Sequence, residues 1–274
     1  MDVETGRARG IDRAIDLLEC LRAAGQPLRI GEIARRLHAP RSTVYELVNR
    51  FLETAILETY DEDGRVFFGR TLYFYAAGYL GANRLSRLAR EEVLAIAEQT
   101  GETAQFCMLH GNKYTVVHMQ TGTKIFRIST DVGVTVPIPW TASGRLLLDH
   151  MTREEVEHFV PPEDFTLPSG KKIDGTRFYN ELCRARSEGY CITSGLVDDF
   201  THCIAVPVRR ADCVAVACLC VVIVGQRDEP ETMRLLDVLR RSAMRLSACV
   251  ARDATPPLPG DERARRAPTA TVAG

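Results

Sequence analysis

A basic segment that reads as two short helices joined by a tight turn constrains this chain more than any other feature. The segment is IGEIARRLHAPRSTVYELVNRF, residues 30–51. Apolar residues recur at helical spacing from Ile30 to Leu37, and Pro40 then interrupts the helix because proline lacks an N–H. Proline also suits the first turn of a new helix. The apolar side of this second predicted helix consists of Val44, Leu47, Val48, Phe51 and Ala55.

The opposite side of the second predicted helix is polar. It carries Arg41, Ser42, Thr43, Tyr45, Glu46, Asn49 and Arg50. Such donors and acceptors bond phosphate oxygens and base edges when a helix lies in the major groove of DNA. Five arginines against two acids make residues 29–50 basic, although the whole chain has a net charge of −1. A solvated helix pair in an ordinary helical domain fits the same periodicity and stays open as an alternative.

A predicted hairpin follows the two helices. Residues 56–60 and 65–69 are strand-like, and Asp63-Gly64 between them is a strong turn signal. Helix, helix–turn–helix and hairpin in this order are typical of a winged helix. The tip of the hairpin, near Arg65, is expected to contact the DNA backbone. Residues 10–80 resemble the N-terminal domain of IclR-type bacterial transcription regulators. The resemblance rests on RAIDLL at 13–18, IGEIA at 30–34 and PRSTVY at 40–45.

The C-terminal part of the chain alternates predicted strands and helices. The strands are 104–109, 114–119, 125–129, 190–193, 201–208 and 214–224, and the helices are 143–150, 153–159, 176–187 and 231–251. This order favours an α+β sandwich. Residues 88–251 resemble the GAF-like effector domain of the IclR family. The matching residues are PIPWTASGR at 137–145, GY at 189–190 and CIAVPV at 203–208.

The predicted fold is therefore α+β, with a winged helix-turn-helix, a linker helix and a GAF-like α/β domain. Its predicted parts are a disordered tail (1–9), a DNA-binding domain (10–70), a linker helix (71–87), an effector-binding domain (88–252) and a second disordered tail (253–274). We expect the helical stretch 71–100 to break around residues 81–83. We also expect its apolar residues to contact a second subunit, because a linker helix has little else to bury against. Packing on their own domains is the alternative.

The resemblance implies effector contacts in the second domain. It assigns them to Ala142, Ser143, Thr193, Cys203, Cys220 and Val222. Ser143-Gly144 opens a predicted helix whose free N–H groups suit a carboxylate, with an ordinary N-cap as the alternative. The family commonly has an acidic residue at the position of Thr193. It has hydroxyl residues at the positions of Cys220 and Val222, so this site is predicted to be less polar and lined by thiols.

Two aromatic residues extend the predicted effector site. Trp140 and Phe106 are expected to form aromatic walls, although Trp140 also fits a place in the core. We therefore expect a larger or aromatic carboxylate as the effector rather than a small keto acid. Glu46 is a second departure from the family, which often has arginine there. A glutamate accepts a hydrogen bond from cytosine N4, so Glu46 is predicted to alter operator preference.

Some of these residues also fit other chemistry. Nine cysteines without a CxxC pair predict reduced thiols in a cytoplasmic protein. A metal site from His202, Cys203, Cys218 and Cys220 is an alternative without the usual ligand spacing. Asp198, Asp199, His202 and Cys203 resemble a nucleophile constellation, but neighbouring residues of a strand point to opposite faces. Thiol redox sensing through Cys203 or Cys220 is the remaining alternative.

The sequence thus predicts a cytoplasmic, homodimeric or homotetrameric transcription regulator rather than an enzyme. Its expected partners are double-stranded operator DNA, palindromic in sequence, and a small-molecule carboxylate that modulates operator affinity. No cofactor or metal is expected. No membrane partner is expected either, since no apolar run approaches the ~18 residues of a membrane span.

Overall fold

The computed structural model describes residues 3–125, 131–225 and 227–252. Most of the predicted strand 125–129 and the whole predicted tail 253–274 lie outside the described residues. The chain divides between Asn83 and Arg84 into two compact units. Among the described helices, none combines the length and hydrophobicity needed to cross a bilayer.

The first unit has the element order of a winged helix. Its elements are α1 (Val3–Ala24), β1 (Leu28–Arg29), α2 (Ile30–Arg36), α3 (Arg41–Glu53), β2 (Leu57–Thr59), β3 (Arg65–Phe68) and α4 (Arg70–Ala82). The three strands form an antiparallel sheet in the order β1-β3-β2. Residues 3–9, predicted as a tail, instead continue α1, in keeping with the helix propensity of the glutamate, arginine and alanine among them.

The core of the first unit joins the three N-terminal helices to the sheet. Its fully buried residues include Leu17, Leu21, Ile33, Ala34, Val44, Val48, Leu57 and Val66. Val44 and Val48 are one helical turn apart, so α3 turns one side to this core and leaves the other to solvent. The hydrophobic packing of α3 thereby fixes which of its polar residues are exposed.

The second unit is a six-stranded antiparallel sheet with helices on both faces. Its elements are α5 (Arg84–Thr100), β4 (Thr103–His110), β5 (Lys113–Gln120), β6 (Thr135–Val136), α6 (Ala142–Leu147), α7 (Arg153–Phe159), α8 (Gly175–Glu188), β7 (Cys191–Ser194), β8 (Thr201–Arg209), β9 (Ala215–Val224) and α9 (Glu229–Arg252). The strand order is β6-β5-β4-β9-β8-β7. Two 3-10 turns, Ile138–Trp140 and Pro162–Phe165, complete the unit.

Alternation along the strands divides this sheet into two cores. On one face Phe106, Leu219 and Val221 pack against α5 and α9. On the other face Cys218 and Cys220 pack against α6 and α8. The predicted α+β architecture is confirmed. The helix predicted for residues 143–150 is shorter than expected, because α6 ends at Leu147.

The helices on either side of the unit boundary bury different amounts of apolar surface. α5 packs Val93 and Ala97 into the core of its own unit, so the expectation of a subunit contact is wrong for these two residues. α4 has no buried residue and exposes several aromatic side chains. Those exposed by 60–72% are Tyr73, Phe74, Tyr75 and Tyr79. The helical break predicted around residues 81–83 is confirmed, since Asn83 is extended between α4 and α5.

Gly144 provides a test of how tightly α6 is held. A Cβ at Gly144 would lie 2.2 Å from the Ile138 carbonyl oxygen and 2.9 Å from Thr141 Oγ1. We expect Gly144→Ala to destabilise the second unit by about 1–3 kcal/mol, because a backbone atom must move. Gly175→Ala is the matched control, since a Cβ there meets nothing within 4 Å. Urea denaturation of the full chain measures both; equal midpoints for the two variants contradict the prediction.

Candidate DNA interface and ligand site

A sharp turn between α2 and α3 sets the direction of the second helix. His38 has a positive φ of 49°, and the Ala39 N–H donates to the Ala34 carbonyl at 3.1 Å. Pro40 is the N-cap of α3, one position earlier than a first helical residue. These constraints, together with burial of Val44 and Val48, fix the rotation of α3 about its axis.

The exposed face of α3 carries nearly all the residues predicted to meet DNA. Those that are exposed are Arg41, Ser42, Tyr45, Glu46, Asn49 and Arg50, whereas Thr43 is half-buried. Arg41, Tyr45 and Asn49 follow one another at intervals of four residues and so form a stripe along the helix. Arg50 is partly neutralised by Glu53, whose carboxylate lies 2.9 Å from its guanidinium.

The hairpin of the first unit carries acidic side chains beside the arginine that is predicted to contact DNA. Arg65 lies 3.5 Å from Asp61 and 3.8 Å from Asp63, and Arg29 lies 2.9 Å from Asp63. All of these side chains are at least partly exposed. A DNA phosphate would have to compete with two carboxylates for Arg65, which weakens the contact between the wing and the DNA backbone. This contact stays a prediction.

Several residues of the predicted ligand site lie side by side on the sheet face that α6 covers. Thr193 pairs with Cys203, and Cys203 pairs with Val222, so the three form a row across β7, β8 and β9. Cys220 lies one row further, opposite Ala205 and Gln105. Thr193 and Cys203 are partly exposed, whereas Cys220 is fully buried. The row therefore runs from the surface into the core.

The first turn of α6 differs from the predicted anion site. Ala142 and Ser143 are fully buried there. The Gly144 N–H, however, already donates to Thr141 Oγ1 at 2.9 Å, so it is capped and not free for a carboxylate. The Gly144 N–H therefore follows the N-cap alternative, whereas a carboxylate at the Ser143 N–H stays a prediction.

The two aromatic residues predicted as walls lie in different places. Trp140 is half-buried in the 3-10 turn before α6, and its indole N–H donates to the Asp164 carbonyl at 2.8 Å. Phe106 belongs to the opposite face of the sheet, where its ring stacks on His118 with centroids 6.1 Å apart. Phe106 as a wall is therefore wrong, because strand alternation turns Gln105 and Cys107 toward α6 instead.

Five cysteines line the α6 face of the sheet. They are Cys107, Cys191, Cys203, Cys218 and Cys220. Burial raises the pKa of Cys107 and Cys218, and raises that of Cys191 to about 11. A hydrogen bond to Cys220, together with burial, raises the pKa of Cys203. Hydrogen bonds from Cys107 and Cys203 lower the pKa of Cys220.

The metal and nucleophile alternatives gain no geometric support. Within residues 3–125, 131–225 and 227–252, no three histidine, cysteine or acidic side chains have a geometry that could hold a metal ion. His202 pairs with Ile223 and Cys203 with Val222, so the two side chains leave β8 on opposite faces. Asp198 is used within its own loop, where it accepts from the Thr201 N–H at 2.7 Å.

Three residues of the α6 face were missed from the sequence. Gln105, Cys107 and Tyr114 form a hydrogen-bonded group beneath Ser143 and Cys220, with the Tyr114 hydroxyl 2.6 Å from Cys107 Sγ and 3.2 Å from Gln105 Oε1. The available signal was Gln105 itself, a polar residue within an apolar predicted strand. A polar side chain in such a position must be bonded or functional.

Known proteins resemble both units. The IclR helix-turn-helix domain model matches residues 10–60, and the bacterial transcriptional regulator IclR C-terminal model matches residues 77–248. The regulator BhcR of Paracoccus denitrificans is 26% identical over 214 residues, which are 75% of this chain and 74% of BhcR.

Solved structures agree at the level of the fold. An IclR transcriptional regulator from Alicyclobacillus acidocaldarius has a TM-score of 0.78 at 20% identity, covering 88% of this chain and 98% of that one. An IclR homologue from Microbacterium hydrocarbonoxydans, solved with 4-hydroxybenzoate, has a TM-score of 0.75 at 24% identity and the same coverage. The two family models together span most of the sequence, so this chain belongs to the IclR family of bacterial DNA-binding transcription regulators.

Proposed function

We propose that the protein binds a specific, palindromic operator through α3 and that a small carboxylate in the second unit modulates its operator affinity. The observation that carries the DNA part is the exposed stripe of Arg41, Tyr45 and Asn49 on a helix whose other side is locked into the core. The arginine is suited to guanine or phosphate and the asparagine to adenine. The proposal assigns the protein to the cytoplasm, where operator DNA is found.

Assembly with a second copy of the chain supplies the affinity for DNA that one DNA-binding unit (one head) lacks. A single α3 neutralises few phosphates. When two heads bind one palindrome, the second binding event is intramolecular, which raises the overall affinity. Support comes from the exposed aromatic side chains of α4, such as Phe74 and Tyr75, which are unusual on a free surface. We therefore propose a homodimer or homotetramer as the active form.

The proposed effector is a larger or aromatic carboxylate. Its contacts are assigned to Trp140, Ala142, Ser143, Thr193, Cys203, Cys220 and Val222. Support comes from the pairing of Thr193, Cys203 and Val222 into one row, and from the IclR homologue solved with 4-hydroxybenzoate. A ligand that binds two arrangements of the second unit unequally would shift operator affinity by that difference.

A mobility-shift assay tests the DNA part directly. Fragments upstream of the protein's own gene and of neighbouring genes are mixed with purified full-length protein and excess bulk DNA. We expect retention of at least one fragment, and a loss of about 1–3 kcal/mol in binding for Arg41→Ala. Arg184→Ala, an exposed arginine of α8, is the matched control. The absence of any preferred fragment at low salt contradicts the proposal.

Glu46 is expected to contribute to sequence preference rather than to overall affinity. Its exposed carboxylate can accept from cytosine N4 and repels phosphate. Glu46→Ala should therefore change the base selected at one position of each half-site while leaving binding intact. Selection of binding sites from a random DNA library measures this, with Glu154→Ala of α7 as the control. An unchanged selected sequence sinks the assignment.

Thiol sensing is a second candidate function, favoured by one observation. Cys220 accepts hydrogen bonds from Cys107 and Cys203, which lower its pKa and bring two further thiols into reach. A peroxide could then oxidise two of these thiols to a disulfide, with reduction of the peroxide to two molecules of water. Complete burial of Cys107 and Cys220 opposes this chemistry.

Mild peroxide decides between the two candidates. Under metabolite sensing, operator binding by the wild type persists in peroxide. Under thiol sensing, binding is lost in peroxide, is restored by a thiol reductant, and is insensitive to peroxide in Cys220→Ser. Cys183→Ser, which removes an exposed thiol of α8, serves as the control. A mobility-shift titration with hydrogen peroxide provides the measurement, and we expect persistence of binding.

A further inference from the structure

The strongest unexplained feature of the second unit is a buried amide with one end unused. Gln105 is 3% exposed, and its Nε2 has no hydrogen-bond partner among the described residues. The Ser143 hydroxyl, on the first turn of α6 and 0% exposed, lies beside the weakly accepting thiol of Cys220 and has no oxygen or nitrogen partner in the same part of the chain. Buried polar groups are nearly always well paired, since each unpaired one costs stability. Two such groups on the two sides of the predicted ligand site therefore require an explanation.

The oxygen of the Gln105 amide lies among three polar side chains. The Tyr114 hydroxyl donates to Gln105 Oε1 at 3.2 Å, and the thiol sulfurs of Cys107 and Cys220 lie 3.9 and 3.6 Å from the same oxygen. Burial raises the pKa of Tyr114, so its proton stays available for donation at neutral pH. The carbonyl end of the amide is thus occupied, and the two Nε2 protons have no acceptor within residues 3–125, 131–225 and 227–252.

The position of Gln105 connects it to the predicted ligand row. Gln105 pairs with Cys220 across β4 and β9, and Cys220 is two residues from Val222 on the same strand face. From Val222 the row continues to Cys203 and to the partly exposed Thr193 at the surface. The strand pairing therefore places Gln105 beside Cys220, at the inner end of the predicted ligand site.

We propose that Gln105 is the polar anchor of the effector, donating from Nε2 to an oxygen acceptor of the ligand, with the Ser143 hydroxyl as a second donor. This inference rests on the proposed effector function. It adds a residue outside the six family positions and defines the chemistry of the ligand's inner end: a carboxylate or neutral carbonyl oxygen.

Two arginines of the second unit, Arg145 and Arg209, are already paired with acidic side chains. Arg145, although 2% exposed, is held by Glu181 at 2.7 Å and by the Thr141 carbonyl at 2.7 Å. Arg209 is paired with Asp149. Gln105 Nε2 and the Ser143 hydroxyl are neutral donors, which can bind a carboxylate or a carbonyl.

Gln105→Met tests the proposal even while the effector is unidentified. Methionine keeps the approximate volume and removes the unpaired donor, while Tyr114 retains Cys107 as a partner. We expect the unliganded variant to melt within about 4 °C of the wild type, because the loss of an unpaired buried donor offsets the loss of the acceptor of the Tyr114 hydroxyl. A larger drop in melting temperature indicates a structural role of Gln105, for example bonding of an internal water, and overturns the proposal.

The binding arm uses benzoate, butyrate, their amides and toluene as probes of the full chain. Calorimetry should show binding of an acid or an amide, no binding of toluene, and affinity at least about tenfold weaker in Gln105→Met. The tighter member of an acid–amide pair identifies the charge of the ligand group. Ser143→Ala should weaken the same probe, and Gln99→Met, at an exposed position of α5, should not.

Three results overturn the inference. They are binding of toluene as tight as that of the acids, equal affinity of Gln105→Met and the wild type for the probe, and no binding of any acid or amide at millimolar concentration. Operator retention by unliganded wild-type protein is measured separately. A negative calorimetry result thus overturns the inference and leaves the proposed DNA function intact. A failure of the DNA function is seen in the operator-binding assay and not in calorimetry.

Discussion

Burial of β9 on both faces is the constraint on which the second unit depends. The strand lies between β4 and β8, and its residues from Cys218 to Val222 pair with both neighbours. Leu219 and Val221 close the core under α5 and α9, while Cys218 and Cys220 close the core under α6. A shift of one residue in this pairing would exchange the two sets, removing the thiols from the ligand face. Strand register therefore decides both stability and the chemistry of the site.

Local sequence rules predicted the helices of this chain well and the sheet faces less well. The helix-turn-helix followed from apolar spacing and from Pro40, and the exposed side of α3 followed from the same spacing. In β4 no such rule was available, because a strand with helices on both sides is apolar on both sides. Phe106 was therefore assigned to the wrong face, and Gln105 was overlooked.

Contacts distant in the chain explain the other differences. Gly144 looked like an open helix start, but a threonine three residues earlier already caps it. The row formed by Thr193, Cys203 and Val222 joins three strands, and among sequence signals only the family resemblance placed those residues together. The apolar residues of α5 could not be assigned to their own core until the sheet that they cover was known.

The acidic hairpin of the first unit has a consequence for how the head responds to ionic strength. Arg65 and Arg29 are already engaged by Asp61 and Asp63, so the hairpin contributes little to the displacement of condensed counterions from the duplex. Each phosphate neutralised by a protein steepens the decline of the logarithm of affinity with the logarithm of salt concentration. The exposed arginines of α2 and α3, among them Arg35, Arg36 and Arg41, then set this slope. Sensitivity to ionic strength therefore arises at the helix-turn-helix rather than at the wing.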